Sequence, residues 1–247
     1  MQKCLILFKA LKVSPKLLLL LLTLHSFIRL YGQEDRSLSF HISGYGKGMG
    51  IGINSTRPPG EKSSVLYTAE FGNLRHPKEI DIINSLIPNS SAYVFGKVNR
   101  AYLLRLLAGK QFSLSERRDR KSVGLKANLQ GGLSMAYLAP VYVDLLYIDN
   151  AAAYYRPTRY NPLLHQQARI GGRSGFTYGL GEGTPRPGLH IRAGLEARWG
   201  NYQNDFKSLG CGVMFDIFPK ELPIFYSGDN QALFSSFYLT FALGSNR

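Results

Sequence analysis

The chain has 247 residues and a formal net charge of +14, although only 19% of its residues are charged. This length allows one large β domain or two small ones. Two cysteines are too few for a disulfide framework, which excludes a small disulfide-stabilised fold. Hydrophobic residues make up 45% of the chain, so the order of apolar and polar residues has to decide the fold class.

Residues 1–32 are predicted to be a signal peptide, and residues 33–247 the mature domain. Four lysines precede an apolar run at residues 17–24. This run is too short for a transmembrane helix, which needs about 20 residues. Cleavage is expected near Gly32. The cations of an exported chain are expected to meet phosphates of surface lipids or polysaccharides rather than nucleic acid.

From residue 37 onward, apolar and polar side chains alternate with the period of a two-faced β-strand. Eight strands are predicted, at residues 37–54, 63–74, 98–112, 121–138, 140–149, 187–200, 206–218 and 231–244. Most are longer than the roughly five or six residues typical of globular strands. Within the first strand, the sequence GYGKGMG shifts the alternation, which is interpreted as a glycine bulge.

Two connections between the predicted strands are long. Residues 150–186 are rich in Tyr, Gly and Arg. Residues 75–92 contain four apolar residues at helical spacing, which predict a short helix at a barrel mouth or rim: Ile80, Ile83, Leu86 and Ile87. If both termini are periplasmic, the turns after even-numbered strands should be short. LAP at 138–140 and GNYQND at 200–205 fit this rule, and residues 75–92 do not.

Long, even-numbered, alternating strands behind a signal peptide predict an all-β fold: an eight-stranded antiparallel up-and-down transmembrane β-barrel with a filled polar lumen. The apolar face would contact lipid, and charges of both signs would neutralise each other inside. The inward charges are predicted to be Glu70, Arg105, Lys126, Asp144, Arg192, Glu196, Arg198 and Asp216, together with His190. The alternative is a soluble lipocalin-like periplasmic barrel with inverted polarity. Glycines on the polar face favour the membrane barrel, because a crowded lumen needs small residues.

Four stretches resemble the small, uncharacterised outer-membrane β-barrel proteins of the Bacteroidota. They are RHPKE at 75–79, YVFGKVN at 93–99, GGLSMAYLAPVY at 131–142 and FPKELPI at 218–224. With the strand spacing, the resemblance covers most of residues 36–244. It implies an outer-membrane location in a Gram-negative bacterium and carries no catalytic motif. The chain departs from the pattern at its end, LGSNR, where such barrels end on an aromatic residue.

No catalytic site, metal site or cofactor is predicted. The histidines lack ligand spacing, and GYGKGMG lacks the Gly-Lys-Ser/Thr ending of a phosphate-binding loop. A structural, surface-interaction or membrane-assembly role is therefore expected. The alternative is a lipid-modifying enzyme similar to lipid A deacylases, in which His41 would activate Ser43 beside Glu70.

The best candidate for a partner surface is the long loop at 150–186, because arginine with tyrosine suits phosphate, carboxylate and sugar recognition. Its candidate binding residues are Arg156, Arg159, Arg169 and Arg173. The expected partners are membrane lipid and lipopolysaccharide, with surface or secretion-machinery proteins as further possibilities, and no nucleic acid. The charged stretch ERRDRK at 116–121 is interpreted as a solvated hairpin tip, with lipopolysaccharide contact as the alternative.

Overall fold

The computed structural model describes residues 36–46, 48–57, 63–76, 78–115, 122–149, 152–200, 205–226, 228 and 230–246. The predicted signal peptide and the ERRDRK stretch lie outside the described residues. Within the described ranges, no helix combines the length and apolar character needed to cross a membrane.

The described chain consists mainly of β-strands. They are β1 (Ser37–Tyr45), β2 (Gly48–Arg57), β3 (Ser63–Leu74), β4 (Asp81–Ile82), β5 (Tyr93–Val94), β6 (Asn99–Ser115), β7 (Gly124–Pro140), β8 (Tyr142–Asp149), β9 (Ala152–Arg159), β10 (Ile170–Arg173), β11 (Thr184–Gly200), β12 (Asp205–Ile217) and β13 (Leu233–Asn246). Short 3₁₀ turns occupy Gln167–Arg169 and Leu180–Glu182. Eight strands close into an antiparallel barrel in the order β1-β13-β12-β11-β7-β6-β3-β2. Each barrel strand pairs with the barrel strands before and after it in the chain, and β13 closes the barrel against β1. The predicted eight-stranded up-and-down barrel is therefore confirmed.

The predicted strand at residues 37–54 is two barrel strands, and the interpretation of GYGKGMG as a bulge is wrong. β1 and β2 form a hairpin in which Tyr45 pairs with Gly48. Every β1–β2 pair joins an even-numbered residue to an odd-numbered one. Because paired residues share a face, the outward residues are even-numbered in β1 and odd-numbered in β2. A two-residue turn therefore shifts the alternation as a bulge would. Gly46 has a φ of +51°, the left-handed conformation that favours glycine in such turns.

The predicted strand at residues 140–149 exists as β8, but β8 is not part of the barrel. It lies between β9 and β10 in a separate three-stranded sheet, which we call the loop-end sheet. The predicted number of barrel strands is right because this error offsets the division of residues 37–54 into two strands.

The barrel has two unlike ends. Short connections follow β2, β6 and β11, at the end that also holds the start of β1 and the end of β13; we call it the terminal end. Residues 75–98, 141–183 and 218–232 connect the strands at the opposite end, the loop end, where the short β1–β2 turn also lies. Residues 138–140 belong to β7, so their prediction as a short turn is wrong. Because residues 37–54 form two strands, the long connection after β3 now follows the expected alternation of short and long turns.

The helix predicted within residues 75–92 is absent from the described part of that segment. β4 pairs with β5, and turns lie between them. Of the four apolar residues at helical spacing, Ile87 alone is buried. The side chain of Asn84 accepts a hydrogen bond from the backbone N–H of Leu86. Such local side-chain bonds compete with the backbone bonds of a helix.

The barrel has an apolar outer surface and a charged centre. Leu133 and Leu239 expose 64% and 63% of their surface, whereas Arg105 and His190 expose none. The soluble alternative with inverted polarity is therefore wrong. We call the exposed apolar band the outer belt; among its members are Leu38, Phe40, Ile42, Met49, Ile51, Ile53, Tyr67, Phe71, Leu104, Leu106, Leu125, Leu129, Leu133, Met135, Leu189, Ile191, Leu195, Leu209, Val213, Phe215, Phe237, Leu239, Phe241 and Leu243.

The loop-end sheet buries apolar side chains, unlike the centre of the barrel. Val143 of β8 and Ile170 of β10 are fully buried. Tyr93 of β5 packs into the same cluster, together with Tyr160. The long connections at the loop end therefore fold onto one another around a small apolar core.

Candidate functional sites in the lumen and at the loop end

Arg105 joins two carboxylates at the centre of the lumen. Its Nη1 lies 2.5 Å from Glu70 Oε1, and its Nη2 lies 2.7 Å from Asp216 Oδ2. Its Nε donates a second bond to Asp216, with a separation of 3.1 Å from Oδ1. The guanidinium also lies 4.7 Å from the centre of the Tyr45 ring. This residue links β3, β6 and β12 through side chains that are almost completely buried.

Two histidines and a second arginine extend this network. His41 Nε2 lies 3.1 Å from Glu70 Oε2, and His190 Nδ1 lies 2.8 Å from Asp216 Oδ1. Arg192 donates to Glu70 Oε2 over 3.1 Å. The structure thus brings together four of the predicted lumen charges, two of each sign. With neutral histidines the network carries no net charge, which is how a buried ionic cluster avoids a large desolvation penalty.

The arrangement proposed for the lipid-modifying enzyme is not formed in this structure. Ser43 Oγ and His41 Nδ1 are both buried and have no hydrogen-bond partner among the described residues. The other ring nitrogen of His41 contacts Glu70. Because nucleophilic catalysis by serine requires a base within hydrogen-bond reach of the hydroxyl, these three residues fit a structural network better than a catalytic one.

A second group of lumen charges lies toward the terminal end. Gln111 Nε2 donates to Glu196 Oε2 over 2.7 Å, and Lys126 Nζ donates to Gln111 Oε1 over 3.2 Å. Arg198 Nη2 lies 3.2 Å from Glu196 Oε1, and its guanidinium stacks 3.9 Å from the Phe206 ring centre. Lys126, Glu196 and Arg198 therefore lie together inside the barrel, toward the terminal end.

Asp144 is not a lumen residue, and its assignment to the charge network is wrong. It lies on β8, outside the barrel, where its carboxylate accepts a hydrogen bond of 2.6 Å from Ser174 Oγ. The alternation continues without a visible break from β7 into β8, so the pattern alone placed Asp144 on the inward face.

The connection between β12 and β13 folds into the loop end of the barrel and forms a plug, defined here as residues 218–226. Leu222 and Ile224 are buried against the inward side chain of Leu103. The backbone N–H groups of Val98 and Asn99 both donate to the carbonyl of Ile224. An apolar layer therefore covers the ionic centre on its loop-end side, which the sequence pattern did not predict.

The four stretches that carry the family resemblance meet around this plug. Lys97 forms a β-bridge with Phe225, and the His76 ring packs edge-on against the same Phe225. Lys97 Nζ lies 2.5 Å from Glu79 Oε2 in a largely buried ion pair. The pKa of the Lys97 ammonium is lowered, because the effect of burial exceeds the opposing effect of the Glu79 carboxylate. Ala136, from the third stretch, belongs to the same apolar cluster.

The predicted loop arginines are all on the loop-end connections and all exposed. Arg159 Nη1 lies 4.0 Å from Glu182 Oε2, and the two side chains expose 66% and 50% of their surface. Within the described ranges, Arg156, Arg169 and Arg173 form no ion pair. They lie on or beside the loop-end sheet, where Arg156 pairs with Leu145 and Arg173 pairs with Val143.

Asn84 holds the long connections together, a role that its sequence context did not indicate. Its buried side-chain amide donates to the carbonyls of Gln167, Ala168 and Ile170 over 2.9–3.3 Å. One polar side chain thereby fastens the β3–β6 connection to the 3₁₀ turn before β10. The sequence around residue 84 does not indicate this contact, because its partners lie more than 80 positions away.

Within the described part of the chain, no group of three or more His, Cys, Asp or Glu residues is arranged to hold a metal ion. Cys211 has a free thiol on the outer surface. The charged groups of the ionic centre pair with one another, whereas His41 Nδ1, His190 Nε2 and Arg192 Nε have no hydrogen-bond partner among the described residues.

No protein-family model matches the chain, and no curated protein matches it. Among solved structures, it is similar to the N-terminal β-barrel domain of OprF from Pseudomonas aeruginosa, with a TM-score of 0.38 and 11% identity over 87% of this chain and 99% of that one. It is also similar to Ail of Yersinia pestis (TM-score 0.39, 10% identity, 86% and 97% coverage). A third is Neisserial surface protein A (TM-score 0.37, 9% identity, 85% and 94% coverage).

Proposed function

We propose that the chain is an outer-membrane β-barrel of a Gram-negative bacterium, made with a cleaved signal peptide at residues 1–32. The outer belt carries this proposal. A closed barrel pairs every strand edge, and its exposed apolar side chains then face hydrocarbon while its ions lie within. The four stretches at the plug support a place among the small barrels of the Bacteroidota.

The height of the outer belt fits a membrane. From Leu189 to Trp199, every second residue of β11 belongs to the apolar outward face. At about 3.3 Å per residue and a tilt of roughly 40°, this stretch has a height of about 25 Å, as expected for the apolar band of an outer-membrane barrel. Lys110 and Lys207 are exposed near the terminal end, where the polar boundary would lie.

The loop end is proposed to face the outside of the cell. Outer-membrane barrels have short periplasmic turns and longer extracellular loops. The connections after β2, β6 and β11 and the described chain ends share the terminal end, and the three long connections lie at the loop end together with the short β1–β2 turn. The terminal end is accordingly assigned to the periplasm. The loop-end sheet would then project from the cell surface.

The role that this arrangement supports best is a surface interaction without catalysis. Arg156, Arg169 and Arg173 are exposed and form no ion pair with any residue in the described ranges. Tyr154 and Tyr155 expose about half of their surface on the same sheet (47% and 49%). Arginine beside tyrosine suits phosphate and sugar groups, so lipopolysaccharide or another anionic surface glycan is the proposed partner class.

Location and orientation are tested separately. Membrane fractionation should place the protein in the outer-membrane fraction, and the unboiled band should migrate differently from the boiled one. For orientation, the Leu163→Cys and Ser115→Cys variants, each combined with Cys211→Ser, are exposed to a membrane-impermeant maleimide on intact cells. Labelling at 163 alone supports the proposal, whereas labelling at 115 alone reverses the orientation. A soluble protein without a heat-dependent shift would contradict the membrane assignment.

Partner recognition is tested with lipopolysaccharide vesicles and the purified protein in detergent. The triple variant Arg156→Ala/Arg169→Ala/Arg173→Ala should bind less lipopolysaccharide, and the loss should shrink as salt rises. The matched control removes exposed cations at the terminal end, Lys110→Ala/Lys207→Ala, and should bind as the parent does. Equal binding by all three proteins would contradict the arginine surface.

A further inference from the structure

Residues 175–183, which we call the rim segment, lie against the outside of the barrel rather than over its mouth. Phe176 packs edge-on against Tyr102, with ring centres 6.1 Å apart, and Tyr102 stacks on Phe71 at 6.3 Å. Tyr102 alternates along β6 with the buried Ala101 and Leu103, so its ring is on the outer face. The rim segment is therefore attached to the outer wall at the loop-end limit of the belt.

Specific polar contacts fasten the rim segment to this wall. Arg100, two residues beyond Tyr102 on the same face of β6, donates to the carbonyls of Phe176 (3.3 Å) and Tyr178 (2.7 Å). Its guanidinium also lies 5.6 Å from the Phe176 ring centre. The position of the segment is thus set by hydrogen bonds as well as by ring contacts.

The second half of the segment is held by Tyr137, which lies beside Tyr102 on β7. The Tyr137 hydroxyl donates to the carbonyl of Leu180 and accepts from the backbone N–H of Gly183. Gly179 has a φ of +82°, and a Cβ there would collide with the carbonyl of Pro140. The chain can follow the wall this closely because residue 179 is glycine.

The aromatic side chains of the rim segment are exposed, although its backbone is held against the barrel wall. Phe176 exposes 63% of its surface and Tyr178 exposes 46%. They continue the outer belt by one step toward the loop end, past Phe71 and Leu104. Aromatic rings with polar neighbours are typical of the boundary between hydrocarbon and headgroups. Arg100 and the exposed Arg75 add cations at this level, where headgroup phosphates would lie.

We propose that the rim segment is an interfacial anchor that inserts Phe176 and Tyr178 into the outer leaflet of the membrane. This proposal rests on the assignment of the outer belt to lipid. The anchor would fix the depth of the loop end, and thereby the height of the loop-end sheet above the bilayer. The partner is the lipid surface itself, at the level where acyl chains meet headgroups.

The test uses the single native tryptophan, Trp199, and phospholipid vesicles whose acyl chains carry bromine, which quenches nearby tryptophan. In the parent protein, quenching of Trp199 reports insertion of the barrel. In a Trp199→Phe background, Phe176→Trp places the probe on the rim segment, and Leu163→Trp is the control on an exposed loop-end turn. Tyr178→Trp is a second rim probe if the first variant fails to show a heat-dependent gel shift.

We expect the rim probe to lose emission to brominated lipid to an extent comparable with Trp199, while the probe at 163 keeps its emission. Adding Arg100→Ala should release the segment and reduce the quenching at 176. Quenching of Trp199 with no quenching at either rim position overturns the anchor and leaves the membrane assignment intact. No quenching of Trp199 itself overturns both proposals.

Discussion

The barrel exposes its apolar side chains, whereas the loop-end sheet buries them. Yet β7 of the barrel and β8 of the loop-end sheet follow each other almost directly in the chain. In β7, the odd-numbered residues Leu133 and Met135 are exposed on the outer belt. In β8, the odd-numbered residues Val143 and Leu145 form the buried core of the loop-end sheet. The odd-numbered residues are apolar in both strands, but they are exposed in β7 and covered by protein in β8.

The change occurs at the boundary between the two strands. Ala139 and Val141 are already buried; the backbone N–H of Val141 donates to the carbonyl of Val98 in the β3–β6 connection, and the Val141 side chain belongs to the cluster that contains Tyr93. Beyond that point, protein takes the place that we assign to lipid along the barrel. The comparison teaches that an alternating pattern identifies two faces without telling which one contacts protein.

The largest expected effect is in the lumen. Arg105→Ala leaves Glu70 and Asp216 facing each other without their shared counter-charge, and breaking a buried ion pair in this way costs about 3–5 kcal/mol. The free energy of unfolding, measured by urea denaturation in lipid vesicles with Trp199 fluorescence, should fall by this amount. Arg156→Ala, on the exposed sheet surface, should change it by less than about 0.5 kcal/mol. Equal effects of the two variants would refute the ionic centre.

In the loop-end sheet, the cost of a truncation should follow the rules of a soluble protein. Ile170→Ala removes a fully buried side chain and should destabilise the sheet by about 2–5 kcal/mol through lost burial and a cavity. The readout is proteolysis within residues 141–183, with the heat-dependent gel shift of the barrel unchanged. Leu133→Ala, on the exposed belt, is the control and should leave the protease pattern as in the parent. A simultaneous loss of the barrel shift would show that the two regions fold as one unit.

A charge placed on each exposed surface sharpens the comparison further. Ile191 on the belt exposes 46% of its surface and Leu163 at the loop end exposes 69%. Ile191→Arg should cost about 2–4 kcal/mol, because it places a cation in the apolar band, whereas Leu163→Arg should be almost neutral. The same denaturation experiment in vesicles measures both. Similar small effects at the two sites would remove the main support for lipid around the belt.

The smallest effect is expected from Asn84→Ala, which leaves the carbonyls of Gln167, Ala168 and Ile170 without their donor. An unsatisfied buried polar group costs about 1–3 kcal/mol. Hydrogen exchange should become faster across residues 161–173 and remain unchanged in β11. Gln166→Ala, an exposed side chain in the same turn, is the control. Unchanged exchange in the Asn84 variant would mean that ring and apolar contacts alone hold these connections together.

Much of this arrangement follows from local pattern. Alternation predicted the barrel, and it placed Glu70, Arg105 and Asp216 on a common inward face before their contacts were known. It was wrong where the same pattern has two physical origins. A hairpin turn at Gly46 and a bulge both shift the parity, and a covered β8 reads like one more barrel strand. Asp144 was misplaced for this second reason.

The remaining features depend on contacts between distant parts of the chain. Asn84 acts on residues more than 80 positions away, and Asn99 at the start of β6 contacts Pro223 of the plug across 124 positions. Neither leaves a periodic signal, because each depends on how long connections fold over a mouth that exists only after the barrel has closed. The loop arginines were recognisable by composition, but their exposure was not.

The plug also closes the axis of the barrel at the loop end. Leu222, Ile224 and Leu103 form one apolar layer, and the network around Arg105 forms a second layer beneath it. An ion driven across would have to displace the first layer and then compete with carboxylates already held by arginine. If the outer belt lies in lipid as we propose, a barrel closed by these two layers would resist the passage of ions along its axis.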